Sequence, residues 1–143
     1  MIVHDTRGVR AKTVRDVMKP HVVTVVPEMT VRELVQTFLE EHVRGAPVLG
    51  PTGKVIGVVS EADVLRVMLH ARSAEEEARD LDARRVGEIM GPVGLVFAPG
   101  DAVARVARSF AADGLQRVVV IENDILLGIV TPADLMRSLD GEA

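Results

Sequence analysis

Two short segments place a hydroxyl and a carboxylate three residues apart. Ser60 and Asp63 close the segment Gly57-Val58-Val59-Ser60-Glu61-Ala62-Asp63, and Thr131 and Asp134 close Gly128-Ile129-Val130-Thr131-Pro132-Ala133-Asp134. A carboxylate can accept hydrogen bonds from both hydroxyls of a vicinal diol. A helix that begins at the hydroxyl residue would also direct its unpaired N–H groups toward a bound anion. These residues therefore have the chemistry to bind a small polar ligand.

The same spacing has a second interpretation that needs no ligand. Ser-x-x-Asp and Thr-Pro-x-Asp, the latter with proline at the first helical position, are typical of helix N-termini. The glycine before each pair favours the ligand interpretation instead. It lies in the apolar, β-branched run that precedes the pair, where it would let a ligand approach the backbone closely. Helix capping and ligand binding both stay open at this point.

The two segments belong to a longer internal repeat. Val17-Met18 matches Ile89-Met90, and Pro20 and Pro27 match Pro92 and Pro99, all at one constant offset that shortens by a single residue in the second hairpin. Each copy is too small to bury its own apolar faces well, so the repeats are expected to share a core.

Hydrophobic patterning and turn residues predict the order α-β-α-β-β-α in each copy. In the first copy we expect a helical turn from Thr13, a strand at 22–26, a helix at 30–41, a hairpin of 46–49 and 55–59, and a helix from Ser60. In the second we expect a turn at 86–90, a strand at 95–97, a helix at 101–113, a hairpin of 118–121 and 125–130, and a helix at 131–139.

Composition narrows the class of protein. The chain has 143 residues, of which 48% are hydrophobic, but its aromatic residues are three Phe, so aliphatic side chains must build an α+β core. There is no Cys, and the four His residues are not at metal-ligand spacing, so no metal site is expected. No nucleophile, base and acid stand at a catalytic spacing, so we expect a protein that is not an enzyme.

Charge and hydropathy exclude further classes. The net charge of −4, the dispersed basic residues and the scarcity of aromatic platforms argue against nucleic-acid binding. No apolar run is long enough to span a membrane, and residues 1 to 12 form an aperiodic tail without a signal-peptide core, so a cytoplasmic protein is expected.

The chain resembles a tandem pair of CBS domains. The resemblance rests on motifs that recur in the same order in both copies. These are the head of each copy, Val17-Met18 and Ile89-Met90, the segments 57–63 and 128–134, and the stretches Arg44-Gly45-Ala46-Pro47-Val48 and Arg117-Val118-Val119-Val120. CBS domains are regulatory modules named after cystathionine β-synthase, and the resemblance covers residues 13 to 139. It implies an α+β fold in which two repeats, 13–72 and 85–140, pack face to face as one CBS module. A tail at 1–12 and a charged linker at 73–84 complete the expected organisation.

The resemblance also implies ligand clefts between the repeats, which in this family bind AMP, ADP, ATP or S-adenosylmethionine. By position, Asp63 and Asp134 match the residue that binds the ribose, and Ser60 and Thr131 match the hydroxyl near the phosphate. The positions matching the adenine-contacting residues are Val25, Val43 and Ala46 in one repeat, and Phe97, Leu115 and Val118 in the other.

The chain also departs from the family pattern. Val119 stands in the place of Pro47 and Gly114 in that of His42, which predicts a differently shaped approach to the second hairpin. Gly50 replaces a common acidic residue and predicts a different turn.

Four arginines are candidates for a ligand phosphate. Arg66 and Arg137 follow the two Asp residues by three positions, a spacing that favours a surface ion pair over a phosphate contact. Arg44 and Arg117 are the better phosphate candidates, because a guanidinium binds an anion bidentately, although solvated side chains are the alternative.

From these features we expect a regulatory sensor that binds an adenosine-containing ligand, forms a homodimer and acts on an unidentified effector protein. The alternative is a dimerising interaction module whose clefts are empty and vestigial. The sequence leaves open the identity of the ligand, the number of occupied clefts and the orientation of the dimer.

Overall fold

The structure is a computed structural model that describes residues 12–140. Its helices are α1 (Val14–Val17), α2 (Val31–Glu41), α3 (Glu61–His70), α4 (Ala74–Ala83), α5 (Val86–Ile89), α6 (Val103–Asp113) and α7 (Pro132–Leu139). Its strands are β1 (Gly45–Leu49), β2 (Val55–Ser60), β3 (Val96–Phe97), β4 (Val118–Glu122) and β5 (Ile125–Val130). Apart from Lys12, the predicted N-terminal tail lies outside the described residues.

The chain forms two compact units that do not coincide with the two sequence repeats. The central unit is the continuous stretch 23–93, and the split unit combines residues up to 22 with residues from 94 onward. Each unit therefore contains the main part of one repeat and the short head helix of the other, α5 in the central unit and α1 in the split unit.

The central unit is built on the hairpin of β1 and β2. These strands pair antiparallel from Gly45 opposite Ser60 to Leu49 opposite Val55, with a bulge between Val48 and Leu49. Its core is aliphatic apart from one phenylalanine, and it consists of Val25, Val31, Leu34, Phe38, Ala46, Val48, Val59, Val64 and Val86. The presence of Val86 shows that α5 completes this core.

The split unit repeats the arrangement. Strands β4 and β5 pair antiparallel from Val118 opposite Val130 to Glu122 opposite Ile125, with a bulge at the corresponding place, between Val120 and Ile121. Its core consists of Val14, Phe97, Val103, Val106, Val118, Val120, Val130 and Leu135. Here Val14 of α1 takes the place that Val86 has in the central unit.

The repeated glycine allows each head segment to pack on its hairpin. A Cβ at Gly57 would lie 2.7 Å from Met90 Sδ and 2.8 Å from the Gly91 carbonyl oxygen. A Cβ at Gly128 would lie 2.7 Å from the Lys19 carbonyl oxygen and 2.9 Å from Met18 Sδ. On the side where a Cβ would lie, the space at each glycine is thus filled by the chain itself.

The predicted strand at 22–26 is wrong over most of its length. Val25 makes a single parallel bridge to Val48, whereas β3 makes a two-residue parallel ladder with β4. The difference has a covalent cause, because Pro47 has no N–H with which to extend the ladder. Val119 stands at the matching position and has one.

The predicted difference at the approach to the second hairpin is present in the strand pairing of Val119 but not in the helix cap before it. His42 ends α2 with φ 55°, and Gly114 ends α6 with φ 70°, so both caps are left-handed.

The charged segment after α3 forms a helix, α4, whose N-cap Ser73 accepts a hydrogen bond from the Glu76 N–H. Within residues 12–140 none of these helices is long and apolar enough to cross a membrane.

Candidate functional site

In the split unit, Thr131 and Asp134 form a tight pair at the start of α7. Asp134 Oδ2 accepts hydrogen bonds from the Thr131 N–H at 2.8 Å and from the Thr131 hydroxyl at 3.0 Å. Pro132 occupies the first turn of the helix, where its missing N–H has no cost. The predicted helix start is confirmed, and the carboxylate is fixed in place by the residue three positions before it.

Two cations approach the other oxygen of the same carboxylate. Arg137 donates to Asp134 Oδ1, and Lys19 Nζ lies 3.5 Å from that oxygen. The Asp134 side chain is only 2% exposed, whereas those of Lys19 and Arg137 are about half exposed. Asp134 is therefore a buried carboxylate whose charge is balanced by two partly solvated cations.

A cavity opens beside this cluster. Its volume is about 350 Å³ and its lining comprises Asp16, Val17, Met18, Lys19, Pro20, Asp134, Arg137 and Ser138. All of these residues belong to the end of α1, the segment after it, or α7. The volume is at the lower end of the range typical of small-molecule pockets.

The pair in the central unit has the same design with fewer partners. Asp63 Oδ2 accepts from the Ser60 N–H at 2.8 Å and from the Ser60 hydroxyl at 3.1 Å, and Arg66 donates to Asp63 Oδ1 at 2.5 Å. The Asp63 side chain is 15% exposed, so it is more accessible than Asp134. The predicted ion pairs of Arg66 and Arg137 are both present, although in the split unit the acid is buried.

The six apolar candidates differ in accessibility. Val25, Ala46, Phe97 and Val118 are buried in the core of their own unit, with at most 2% of their surface exposed. The Phe97 ring is also covered by the Arg105 guanidinium, at 5.4 Å from its centroid. The remaining two, Val43 and Leu115, keep accessible surface. They are the apolar candidates that a ligand can reach without rearrangement.

The arginine candidates have different environments. Arg44 is exposed, and its carbonyl oxygen accepts from the Glu61 N–H at 2.9 Å, which places its backbone at the start of α3 next to Ser60. Arg117 is half-buried at the approach to β4. The Arg44 backbone therefore contacts a hydroxyl-acid helix start directly.

Two residues near the Asp134 carboxylate were not predicted as site residues from the sequence. Lys19 and Ser138 stand at positions where the other repeat has Gly91 and Val67. Alignment of the repeats brings out both differences, but it does not show that α1 and α7 share one unit. The proximity of Lys19 to Asp134 follows from that arrangement.

Comparison with known proteins agrees with these observations. The CBS domain family matches residues 14–70 and 86–141. The uncharacterized protein MJ1225 of Methanocaldococcus jannaschii is 30% identical over 129 residues, which are 90% of this chain and 43% of that protein. The chain thus spans less than half of the length of MJ1225. In the same organism, the uncharacterized protein MJ1426 is 25% identical, with 88% of this chain and 90% of that protein covered.

Solved structures show the same architecture. The CBS domain of a CBS domain containing membrane protein from Sphaerobacter thermophilus has a TM-score of 0.78 and 27% identity, covering 94% of this chain and 91% of that one. CBSX2, a CBS-pair protein from Arabidopsis thaliana, was solved in complex with AMP. It has a TM-score of 0.76 and 26% identity over 90% of this chain and 96% of its own. The expected α+β fold of two repeats is confirmed, and the chain belongs to the CBS domain family.

Proposed function

We propose that this chain is a non-enzymatic sensor that binds an adenosine-containing ligand at its two hydroxyl-acid helix starts. The ligand classes are AMP, ADP, ATP and S-adenosylmethionine. Asp63 and Asp134 would accept from the ribose hydroxyls, and Ser60 and Thr131 would lie near the phosphate.

One observation carries the proposal. The same hydroxyl-acid pair is built with the same hydrogen bonds in both units, and each pair has an arginine on the second carboxylate oxygen. A related CBS-pair protein of similar length, CBSX2, is known in complex with AMP. A ligand phosphate could draw the arginine away, and the oxygen it leaves would then be open to the ribose.

Accessible apolar surface supports contact with the base. Val43 lies in the central unit and Leu115 in the split unit, at matching positions after α2 and α6. We assign them the adenine contact, and we assign Arg44 and Arg117 the outer phosphate contacts. The buried candidates Val25, Ala46, Phe97 and Val118 would then act indirectly, by shaping the wall behind the ligand.

The output would pass through a homodimer or a partner protein. Exposed apolar side chains occur at matching positions of α3 and α7, namely Leu65 and Met68 in one helix and Met136 and Leu139 in the other. Within each helix the two side chains stand three residues apart and so share one face, and contiguous exposed apolar side chains are typical of an association surface. A ligand would shift the module between conformations only to the extent that it binds one of them more tightly.

A second candidate function also has support. Each carboxylate already has a hydrogen-bond partner on both oxygens, and Asp134 is almost fully buried. This arrangement would also suit a dimerising interaction module whose clefts are vestigial, with the two Asp residues acting as helix caps alone. Ligand binding and capping predict different behaviour of the same variants.

The test is nucleotide binding by the double variant Asp63→Asn and Asp134→Asn. Asparagine keeps one oxygen to accept the capping N–H but loses the charge and one acceptor for the diol. We expect isothermal titration to show AMP binding to the unmodified protein and at least tenfold weaker binding to the variant. Equal AMP affinity in the two proteins would contradict the site assignment.

The capping box of α2 supplies the matched control. Thr30 and Glu33 make the same kind of contacts as the two proposed sites, with the Glu33 carboxylate accepting from the Thr30 N–H and hydroxyl. The Glu33→Gln variant should lose helix stability and bind AMP like the unmodified protein. An absence of AMP binding by the unmodified protein, combined with robust dimerisation, would favour the interaction module.

A further inference from the structure

The two proposed sites carry different charge. Both have an aspartate with an arginine three residues later, but the split unit adds Lys19, whose Nζ lies 3.5 Å from Asp134 Oδ1. At the matching position the central unit has Gly91, which has no side chain. Within the described residues, Asp134 therefore faces two cations and Asp63 faces one.

Arg137 and Lys19 are held differently. Arg137 makes a direct hydrogen bond to Asp134 Oδ1, so it fixes the carboxylate. The 3.5 Å separation of Lys19 from the same oxygen is longer than a charge-assisted hydrogen bond, and 51% of its side chain is exposed. Lys19 can therefore turn toward a ligand anion without breaking a short contact.

The cavity beside Lys19 contains an unsatisfied polar atom. Ser138 lines the cavity and is 3% exposed, and its Oγ has no hydrogen-bond partner among residues 12–140. Buried hydroxyls nearly always have a partner, so this atom points to a polar ligand. The matching residue of the central unit is Val67, which is buried and apolar.

Asp16 also lines the cavity, and its charge has to be considered. Its carboxylate oxygen Oδ2 accepts from the Thr13 N–H at 2.9 Å and from the Thr13 hydroxyl at 3.2 Å. Asp16 is thereby engaged in capping α1, while Lys19 and Arg137 converge on the Asp134 end of the cavity. The cationic character of the cavity is concentrated at that end.

We propose that Lys19 makes the Asp134 cavity selective for a phosphate-bearing adenosine ligand, while the Asp63 site distinguishes phosphorylated from unphosphorylated ligands less strongly. This inference rests on the proposed function and assigns the ligand class of one of its two sites. A lysine ammonium binds phosphate as a point charge, so the added cation favours AMP over adenosine. Ser138 supplies a further hydrogen bond within the same cavity.

The first experiment measures AMP and adenosine affinities by isothermal titration in an Asp63→Asn background, so that the Asp134 cavity dominates the signal. We expect AMP to bind at least tenfold more tightly than adenosine. Lys19→Met keeps the apolar stem and removes the charge. It should weaken AMP about tenfold, leave adenosine unchanged and reduce the salt dependence of AMP binding.

The second experiment transfers the lysine to the other site. A Cβ at Gly91 would meet the Val58 carbonyl oxygen at 3.8 Å, an ordinary contact, so the backbone at this position can carry the Cβ of a lysine. In an Asp134→Asn background, Gly91→Lys should raise the preference of the Asp63 site for AMP over adenosine. Lys54→Met, in the turn of the β1–β2 hairpin, removes the same charge elsewhere and should leave both affinities unchanged.

The outcomes separate the two proposals. If AMP and adenosine bind the Asp134 cavity equally well, or if Lys19→Met weakens both equally, the inference is overturned and the proposed function stands. If neither ligand binds the unmodified protein, the proposed function fails and the inference fails with it. Selective loss of AMP affinity in Lys19→Met, with the reciprocal gain in Gly91→Lys, supports the inference.

Discussion

At the scale of single residues, the two aspartates combine a structural and a proposed ligand-binding role. One oxygen of each carboxylate accepts from the backbone N–H and hydroxyl three residues earlier, and the other accepts from an arginine. A ligand diol would have to replace the arginine, so a phosphate that recruits the arginine would ease the exchange. The ligand-binding and capping interpretations of these residues are therefore compatible.

Gly57 and Gly128 provide a prediction at this scale. Substitution by alanine puts a Cβ within 2.8 Å of the Gly91 carbonyl oxygen in one case and 2.7 Å of the Lys19 carbonyl oxygen in the other. Overpacking of this kind costs about 1–3 kcal/mol, and here the contacted backbone must shift. We expect urea unfolding to show that loss in each variant.

Gly100 is the matched control for this prediction. It has a negative φ, and a Cβ there would meet no atom within 4 Å. Gly100→Ala should leave the free energy of unfolding nearly unchanged. If Gly57→Ala and Gly100→Ala were equally stable, the packing account of the repeated glycine would be wrong.

At the scale of elements, the ends of α2 and α6 test the value of a left-handed cap. Gly114 adopts φ 70° at no steric cost, whereas His42 adopts φ 55° with a side chain. Gly114→Ala should destabilise the protein by about 1 kcal/mol, and His42→Gly should stabilise it by a smaller amount. Thermal unfolding of both variants checks the two opposite signs, and a loss of stability in His42→Gly would contradict the account.

The start of α2 gives a pH-dependent prediction. Hydrogen bonds from the Thr30 N–H and hydroxyl lower the pKa of Glu33 below its ordinary value of 4.5, with a smaller contribution from Arg85. The ionised carboxylate is thus favoured in the folded state, and its stabilisation is present above pH 4.5 and is lost as the pH falls through the lowered pKa. The Glu33→Gln variant should be less stable than the unmodified protein at pH 7 and equally stable at pH 2.

Urea unfolding at several pH values measures this difference. The gap in the free energy of unfolding between the two proteins should close on acidification. A gap of constant size from pH 7 to pH 2 would show that the Glu33 charge contributes nothing to the α2 start.

Most elements were predictable because their signals are local. The capping pairs at Thr30 and at Ser60, and the apolar period of the helices that follow, depend on neighbouring residues alone. The strand expected at 22–26 failed because its extent depends on a distant partner. Whether that segment forms a ladder is decided by Pro47, which cannot donate the next hydrogen bond.

At the scale of the whole molecule, the compact units and the sequence repeats divide the chain differently. Val86 of α5 lies in the core of the central unit, and Val14 of α1 lies in that of the split unit. The repeat was readable from matching residues, but the exchange of head helices was not. The sequences of α1 and α5 match each other whether each helix packs against its own repeat or against the other one.

This division predicts the behaviour of fragments. A fragment of residues 23–93 contains the complete central core. A fragment of residues 14–70 lacks Val86 of that core, and it also lacks Ile89 and Met90, which are partly buried against the core. We expect the 23–93 fragment to show more helical circular dichroism and more cooperative unfolding. Equal disorder in both, or greater stability of the 14–70 fragment, would contradict the assignment of α5 to this core.

The sequence predicted the residue types of the candidate site, but not the burial of these residues or their contacts. The hydroxyl-acid spacing identified Ser60, Asp63, Thr131 and Asp134, because the repetition of a short pattern is visible in the chain. The burial of Phe97 and the approach of Lys19 to Asp134 depend on contacts between residues far apart in sequence. Such contacts require the folded chain.

Thermal unfolding in the presence of millimolar AMP, ADP, ATP, S-adenosylmethionine or GTP tests the central claim most directly. A ligand at about 100 times its dissociation constant adds about 2.7 kcal/mol, which for a chain of this size raises the midpoint by about 5 to 10 °C. We expect such a shift with at least one adenosine compound, and none with GTP. No shift with any adenosine compound would contradict the account of this chain as an adenosine-ligand sensor.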